Sequence, residues 1–175
     1  MKKLGKVYWI CGLAGSGKTT IAEQFSKKLK LKGFTPVLLD GDNIRESFDL
    51  PKDFSYEGRL KLARIYSRLA KLLSDQGFVV VVSVIAMFDE IFKYNRKNIK
   101  NYTEVFLDVP ISELVLRDKK KLYSKGLKGE IKDVVGMDIK PEFPKNPDIK
   151  IHNYGSSTID DSVKKLESHY EKNDN

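Results

Sequence analysis

The sequence predicts an α/β fold, a five-stranded parallel sheet with helices on both faces. Three observations carry this. Short β-branched apolar runs alternate along the chain with longer runs of helical period. The run Phe78–Ile85 is almost continuously apolar, as a strand buried on both faces must be. Glycine or clustered polar residues follow the apolar runs, at the carboxyl ends where open α/β sheets bind ligands.

Taken in order, residues 6–11 read as the first strand and 18–33 as a helix with Ile21, Ala22, Phe25 and Leu29 on one side and Gly33 as its stop. Pro36–Asp40 is too short for a helix and reads as the second strand, ending in the polar cluster Asp40-Gly41-Asp42-Asn43-Ile44-Arg45. A helix is predicted from Arg59 to about Gln76, closed by Gly77, then the strand Phe78–Ile85, a helix over Asp89–Lys100 and a strand over Tyr102–Val109 closed by Pro110. Ile111 to about Leu116 starts another helix. Arg117–Gly129 is strongly basic with two glycines, and Asp138–Pro147 holds three of the six prolines and reads as irregular. Ile149–His152 is a last short strand, and Thr158 to about Tyr170 a final amphipathic helix. With no internal repeat or linker, residues 1–175 are expected to form one domain, with a lid over about 117–136 and a C-terminal helix over about 158–170.

A length of 175 residues suffices for a core, and 41% hydrophobic with 32% charged residues describes a soluble protein. No run of eighteen apolar residues suggests a membrane span, and Val7–Leu13 is too short and too committed to strand and loop to serve in a signal peptide. The single cysteine, Cys11, fits strand packing in a reducing cytosol, so a cytoplasmic location is expected. The formal net charge of +8 is spread over the chain rather than gathered in an arginine-rich strip, which suits small polyanionic substrates better than nucleic acid.

The chemistry centres on Gly12-Leu-Ala-Gly-Ser-Gly-Lys-Thr19, which fits the Walker A pattern G-x-x-x-x-G-K-[ST] between a predicted strand and a predicted helix. Small residues at Gly12, Ala14, Gly15, Ser16 and Gly17 let main-chain N–H groups converge on a polyphosphate, and the helix starting at Lys18, Thr19 and Thr20 adds its dipole. Lys18 would reach the β- and γ-phosphates, and the Thr19 hydroxyl would bind Mg2+. Phosphoryl transfer also needs a carboxylate near the metal and a group to position the acceptor. The strand Phe78–Ile85 offers only Ser83, so the acids must be Asp40 and Asp42, whose spacing of two puts them on one side of an extended segment. One would serve the metal shell and the other take the acceptor proton; as a plain sequence feature the cluster also reads as a turn or helix cap. Arg45 and Arg59 follow where an anionic acceptor would lie, and the basic segment after Arg117 suits a lid.

Together these motifs resemble the adenylylsulfate kinase family of P-loop kinases. The resemblance covers about Lys6–Asn153 and rests on Gly12–Thr20, Leu39–Arg45, Phe54-Ser55 with Arg59, Phe106–Pro110, Arg117-Asp118 with Lys120 and Leu122-Tyr123, Gly129–Lys132, Gly136, and Pro144 with Pro147. It implies the P-loop NTPase fold, ATP and Mg2+ as cofactors, and phosphorylation of a nucleotide's ribose 3′-hydroxyl. It further implies Asp42 as the base, with Lys18 and Asp40 also catalytic, and Thr19 and Asp40 as the metal site. Arg117 would join the ATP site. Asp42, Arg45, Phe54, Arg59, Ile85, Lys120, Leu122 and Val134 would form the acceptor site, Arg45 and Arg59 on the anionic bridge and Phe54 against the base. The departures from the family pattern fall mostly on the acceptor side. Asp-Arg-x-x-Asn is Gly58-Arg59-Leu60-Lys61-Leu62, Ile-Ser-Pro is Ile85-Ala86-Met87, and Phe-Thr-Gly is Val134-Val135-Gly136. The expected acceptor is therefore a variant nucleotide such as cytidine diphosphoramidate, used in capsule decoration. Adenylyl sulfate itself, a non-catalytic nucleotide-binding regulator and a nucleic-acid-directed protein are the alternatives. Expected partners are a small nucleotide and, as assembly, a second copy of the chain, with neither nucleic acid nor membrane.

Overall fold

The computed structural model describes residues 5–118 and 121–173. Five parallel strands form one sheet in the order β2-β3-β1-β4-β5. They are β1 (Val7–Gly12), β2 (Val37–Asp40), β3 (Val80–Val84), β4 (Tyr102–Leu107) and β5 (Ile149–Ile151). The central strand β1 is buried along its whole length, and its side chains divide by the strand period of two. Val7, Trp9 and Cys11 join one core with residues of α3 (Tyr56–Asp75) and α4 (Asp89–Asn98); Tyr8 and Ile10 join the other with α1 (Lys18–Leu31) and α7 (Ile159–Lys172). Helices therefore cover both faces, as predicted.

Register brings the functional ends together. Asp40 at the end of β2 pairs with Ser83 in β3, and Gly12 at the end of β1 pairs with Leu107 in β4. The P-loop, both acids and Ser83 consequently lie at the carboxyl edge of the sheet.

Three local expectations need correction. Asp40 and Asp42 do not lie on one extended segment. Asp40 ends β2 in the extended region, and its Oδ1 accepts from Asp42 N at 3.1 Å, capping a short helix α2 (Gly41–Ser47) that contains Asp42. The helix predicted from Arg59 begins at Tyr56, because Ser55 Oγ accepts from Gly58 N at 3.2 Å and caps it there. Part of the basic stretch after α5 (Ile111–Arg117) is helical: α6 (Leu122–Leu127) is held by Tyr123, whose ring is buried. In α7, Thr158 and Asp161 form a reciprocal capping box, and His169 Nδ1 lies 3.0 Å from the Tyr8 hydroxyl.

Candidate active site

A cavity of about 700 Å³ opens at the carboxyl edge of the sheet. Its walls include Ala14, Gly15, Gly17, Lys18, Thr19 and Thr20 from the P-loop and α1, and Asp40, Asp42 and Arg45 from the end of β2 and α2. Phe54, Arg59, Leu62 and Tyr66 come from α3 and the segment before it, and Ser83, Ile85 and Ala86 from β3 and beyond. Leu122 at the start of α6 and Lys132, Asp133 and Val134 beyond it complete the wall. Most of the site residues expected from sequence thus meet in one place. Gly12 and Ser16 shape the loop from beneath, Ser16 being fully buried. Lys120 lies outside the described residues.

The loop is tied down by groups distant in sequence. Asn153, just past β5, donates from Nδ2 to Ser16 O at 2.8 Å, and Gly17 has φ 96° with no room for a Cβ beside that amide. Arg117 donates to Gly15 O (3.4 Å) and Asn153 O (2.5 Å). The Tyr123 hydroxyl donates to Ala14 O at 2.9 Å, and burial pushes its pKa up to about 12. Arg117 therefore braces the loop rather than lining the cavity. Asn153 and Tyr123 carry no role in the sequence reading; the available signals are their positions, one just beyond a strand end and the other in the basic segment after Arg117.

Lys18 Nζ donates to Leu13 O at 2.8 Å and is buried, which lowers its pKa to about 8 against the opposing pull of Asp40 and Asp42. The Thr19 hydroxyl donates to Asp40 Oδ2 at 2.9 Å and lies 3.5 Å from Ser83 Oγ. A hydroxyl and a carboxylate meeting at the cavity suit a hard cation that keeps most of its shell as water and phosphate, as Mg2+ does. Tyr66, unremarked in sequence, donates from its hydroxyl to Gly41 O at 3.1 Å and so braces the turn between the two acids.

At the far end, the guanidinium carbons of Arg45 and Arg59 lie 5.0 and 5.3 Å from the centre of the Phe54 ring. Arg45 donates to Pro51 O (2.7 Å); Arg59 donates to Phe54 O (2.7 Å) and Asp133 O (2.8 Å). Burial, with Arg45 nearby, depresses the Arg59 pKa. Two guanidinium groups thus meet at one aromatic ring on the wall of the cavity, with Asp42, Asp53, Asp133 and Asp138 near enough to act on one or the other.

The Adenylylsulphate kinase family model matches residues 4–152. The chain is 42% identical over 165 residues to the cytidine diphosphoramidate kinase of Campylobacter jejuni subsp. jejuni serotype O:2, covering 93% of this chain and 95% of the relative. It is 36% identical over 173 residues to the adenylyl-sulfate kinase of Clostridium acetobutylicum, covering 97% and 86%. The structure of the Mycobacterium tuberculosis APS kinase CysC in complex with AMPPNP and APS superposes with a TM-score of 0.89 at 35% identity, covering 97% of this chain and 99% of that one. By the family model over most of its length, by relatives that are named kinases and by the superposition, the chain belongs to the adenylylsulphate kinase family and is an ATP-dependent kinase of the P-loop NTPase fold.

Proposed function

We propose that this kinase transfers the γ-phosphate of ATP to the ribose 3′-hydroxyl of cytidine diphosphoramidate, in the cytoplasm, for phosphoramidate decoration of a capsule. The observation that carries the choice of acceptor is the wall of the cavity beyond the acids. Leu62, Ala86 and Val134 present apolar or small surfaces there, and Phe54 offers one aromatic face near its mouth. A pyrimidine needs less stacking surface than a purine. An amidated diphosphate carries the anionic bridge that Arg45 and Arg59 are set to receive. The 42% identity to the Campylobacter enzyme of that name supports the same reading.

In the reaction, main-chain N–H groups of the P-loop and Lys18 hold the polyphosphate, while Arg45 and Arg59 hold the acceptor's anionic group. Asp42 takes the proton from the 3′-hydroxyl as that oxygen bonds to the γ-phosphorus; the bond to the β–γ bridging oxygen breaks and ADP leaves. Mg2+ held by Thr19 and Asp40 would neutralise charge on the β- and γ-phosphates. The described part of the lid, of which Leu122 and Ile131–Val134 line the cavity, would close over the bound nucleotides and exclude water.

The second reading, adenylyl sulfate as acceptor, is favoured by Phe54, Arg45 and Arg59 standing together and by the likeness to enzymes of that name. Steady-state turnover of both nucleotides by the purified protein separates the two. Cytidine diphosphoramidate should have the higher kcat/KM; a preference for adenylyl sulfate rejects the first reading in favour of the second. With whichever nucleotide is turned over, Asp42→Asn should lower kcat about 10²- to 10⁴-fold while leaving ADP binding nearly unchanged. An undiminished kcat would remove Asp42 as the base.

A further inference from the structure

Gly58 sits in the first turn of α3, where glycine is normally a poor choice, costing roughly 0.5–1 kcal/mol relative to alanine in a helix. The reason lies across the turn. A Cβ at position 58 would fall 2.5 Å from Asp53 Oδ2 and 2.6 Å from Oδ1, inside contact distance. The carboxylate of Asp53 occupies the volume that a side chain at 58 would take.

Asp53 is anchored there by Ser55. Its Oδ1 accepts from Ser55 N at 3.0 Å and from Ser55 Oγ at 2.6 Å, and that hydroxyl in turn caps α3. The segment so pinned, Pro51–Ser55, is the scaffold of the proposed acceptor site. It supplies the Pro51 carbonyl that holds Arg45, the Phe54 carbonyl that holds Arg59, and the Phe54 ring near both guanidinium groups. Removing the anchor frees all three together. It touches neither the P-loop nor the acids.

We infer that Asp53 is a positioning residue of the acceptor site: lodged against Gly58, it fixes the Pro51–Ser55 segment and, through its carbonyls, the two arginines and Phe54. This rests on the acceptor site proposed above. The test is the kinetics of Asp53→Ala with both cytidine diphosphoramidate and adenylyl sulfate, read on the nucleotide that the wild type uses better. Acceptor KM should rise about tenfold, while ATP KM and kcat stay within about twofold. Adding Gly58→Asp to Asp53→Ala returns a carboxylate to the same volume from the helix side and should recover most of the loss; Gly58→Asp alone, with Asp53 in place, should raise acceptor KM. An unchanged acceptor KM in Asp53→Ala overturns the inference. So does a parallel loss of kcat, ATP affinity and thermal stability without rescue, which would make Asp53 a folding residue only. If the wild type prefers adenylyl sulfate, the cytidine reading fails, yet the same variants measured on adenylyl sulfate still decide the role of Asp53.

Discussion

Lys18 sits in an environment that opposes its charge. Its ammonium is buried on the cavity wall, where it donates to Leu13 O at 2.8 Å, and desolvation lowers its pKa to about 8. A polyphosphate restores the reason to be charged, so nucleotide binding should take up a proton once the free protein has begun to lose it. The sign follows: ADP affinity should fall as pH rises through 8, by at most about tenfold per pH unit. Calorimetry at pH 7 and pH 9, in two buffers of different ionisation enthalpy, reads both the affinity and the proton; equal affinities and no proton uptake at pH 9 would contradict it. The folded pKa lies below the unfolded value of 10.5, so the ligand-free protein should also gain stability from this group between about pH 8 and 10.5. The loop motif that carries Lys18 was legible as a string of residues. The depressed pKa was not, because it comes from burial by chain segments far away.

Helix α2 shows how an element can be missed and still be found by its chemistry. Seven residues with only Ile44 buried leave no periodicity to read, and so short a helix is unstable in isolation. What makes it is Asp40, which caps the helix through Oδ1 and receives the Thr19 hydroxyl on Oδ2. The cap reading and the metal-shell reading of this acid are therefore compatible, one per oxygen. Asp40→Asn keeps an acceptor for the cap and loses the charge, whereas Asp40→Ala loses both. Urea denaturation should show Asp40→Ala less stable by about 1 kcal/mol and Asp40→Asn close to wild type. Mg2+-dependent ADP affinity should weaken in both. If both variants unfold alike, the cap contributes nothing measurable. Helix α6 is a similar case: the sequence shows there only a basic, glycine-containing segment suited to a lid, because what orders the helix is Tyr123 reaching Ala14 O, far away in the chain.

At the scale of the whole molecule, a buried acid ties the sheet to its covering helix. Glu104 in β4 is 2% exposed and accepts from Arg96 of α4 and from the Tyr102 hydroxyl, each at 3.1 Å. Arg96 also donates to Asn146 O at 2.9 Å and pairs with Asp148, joining the approach to β5 to the same node. Burial raises the Glu104 pKa in spite of Arg96. Arg96→Met strands this carboxylate and should cost about 2 kcal/mol at pH 7, discounted for the partly exposed guanidinium. The raised folded-state pKa means that Glu104 favours folding less as pH climbs through it. Protonation should accordingly shrink the penalty as pH falls toward 4.5. Denaturant midpoints at pH 7 and pH 5 test this, and a pH-independent penalty would mean that Arg96 acts by packing alone.

By itself the sequence determined what is local. The apolar runs define the strands, the glycine-rich loop between strand and helix announces phosphate binding, and Asp40, Asp42, Arg45 and Arg59 are acid and base types placed just after predicted strand ends or helix starts. Tertiary structure decided what depends on closure between distant segments: Ser83 beside Thr19 through the β2–β3 register, Asn153 and Tyr123 beneath the loop, Arg59 bridging Phe54 to Asp133, and Asp53 filling the space left by Gly58. The physical reason is that strand period and loop chemistry act over a few residues. A carbonyl's partner or a carboxylate's pocket is chosen only once the sheet has brought its strands into order.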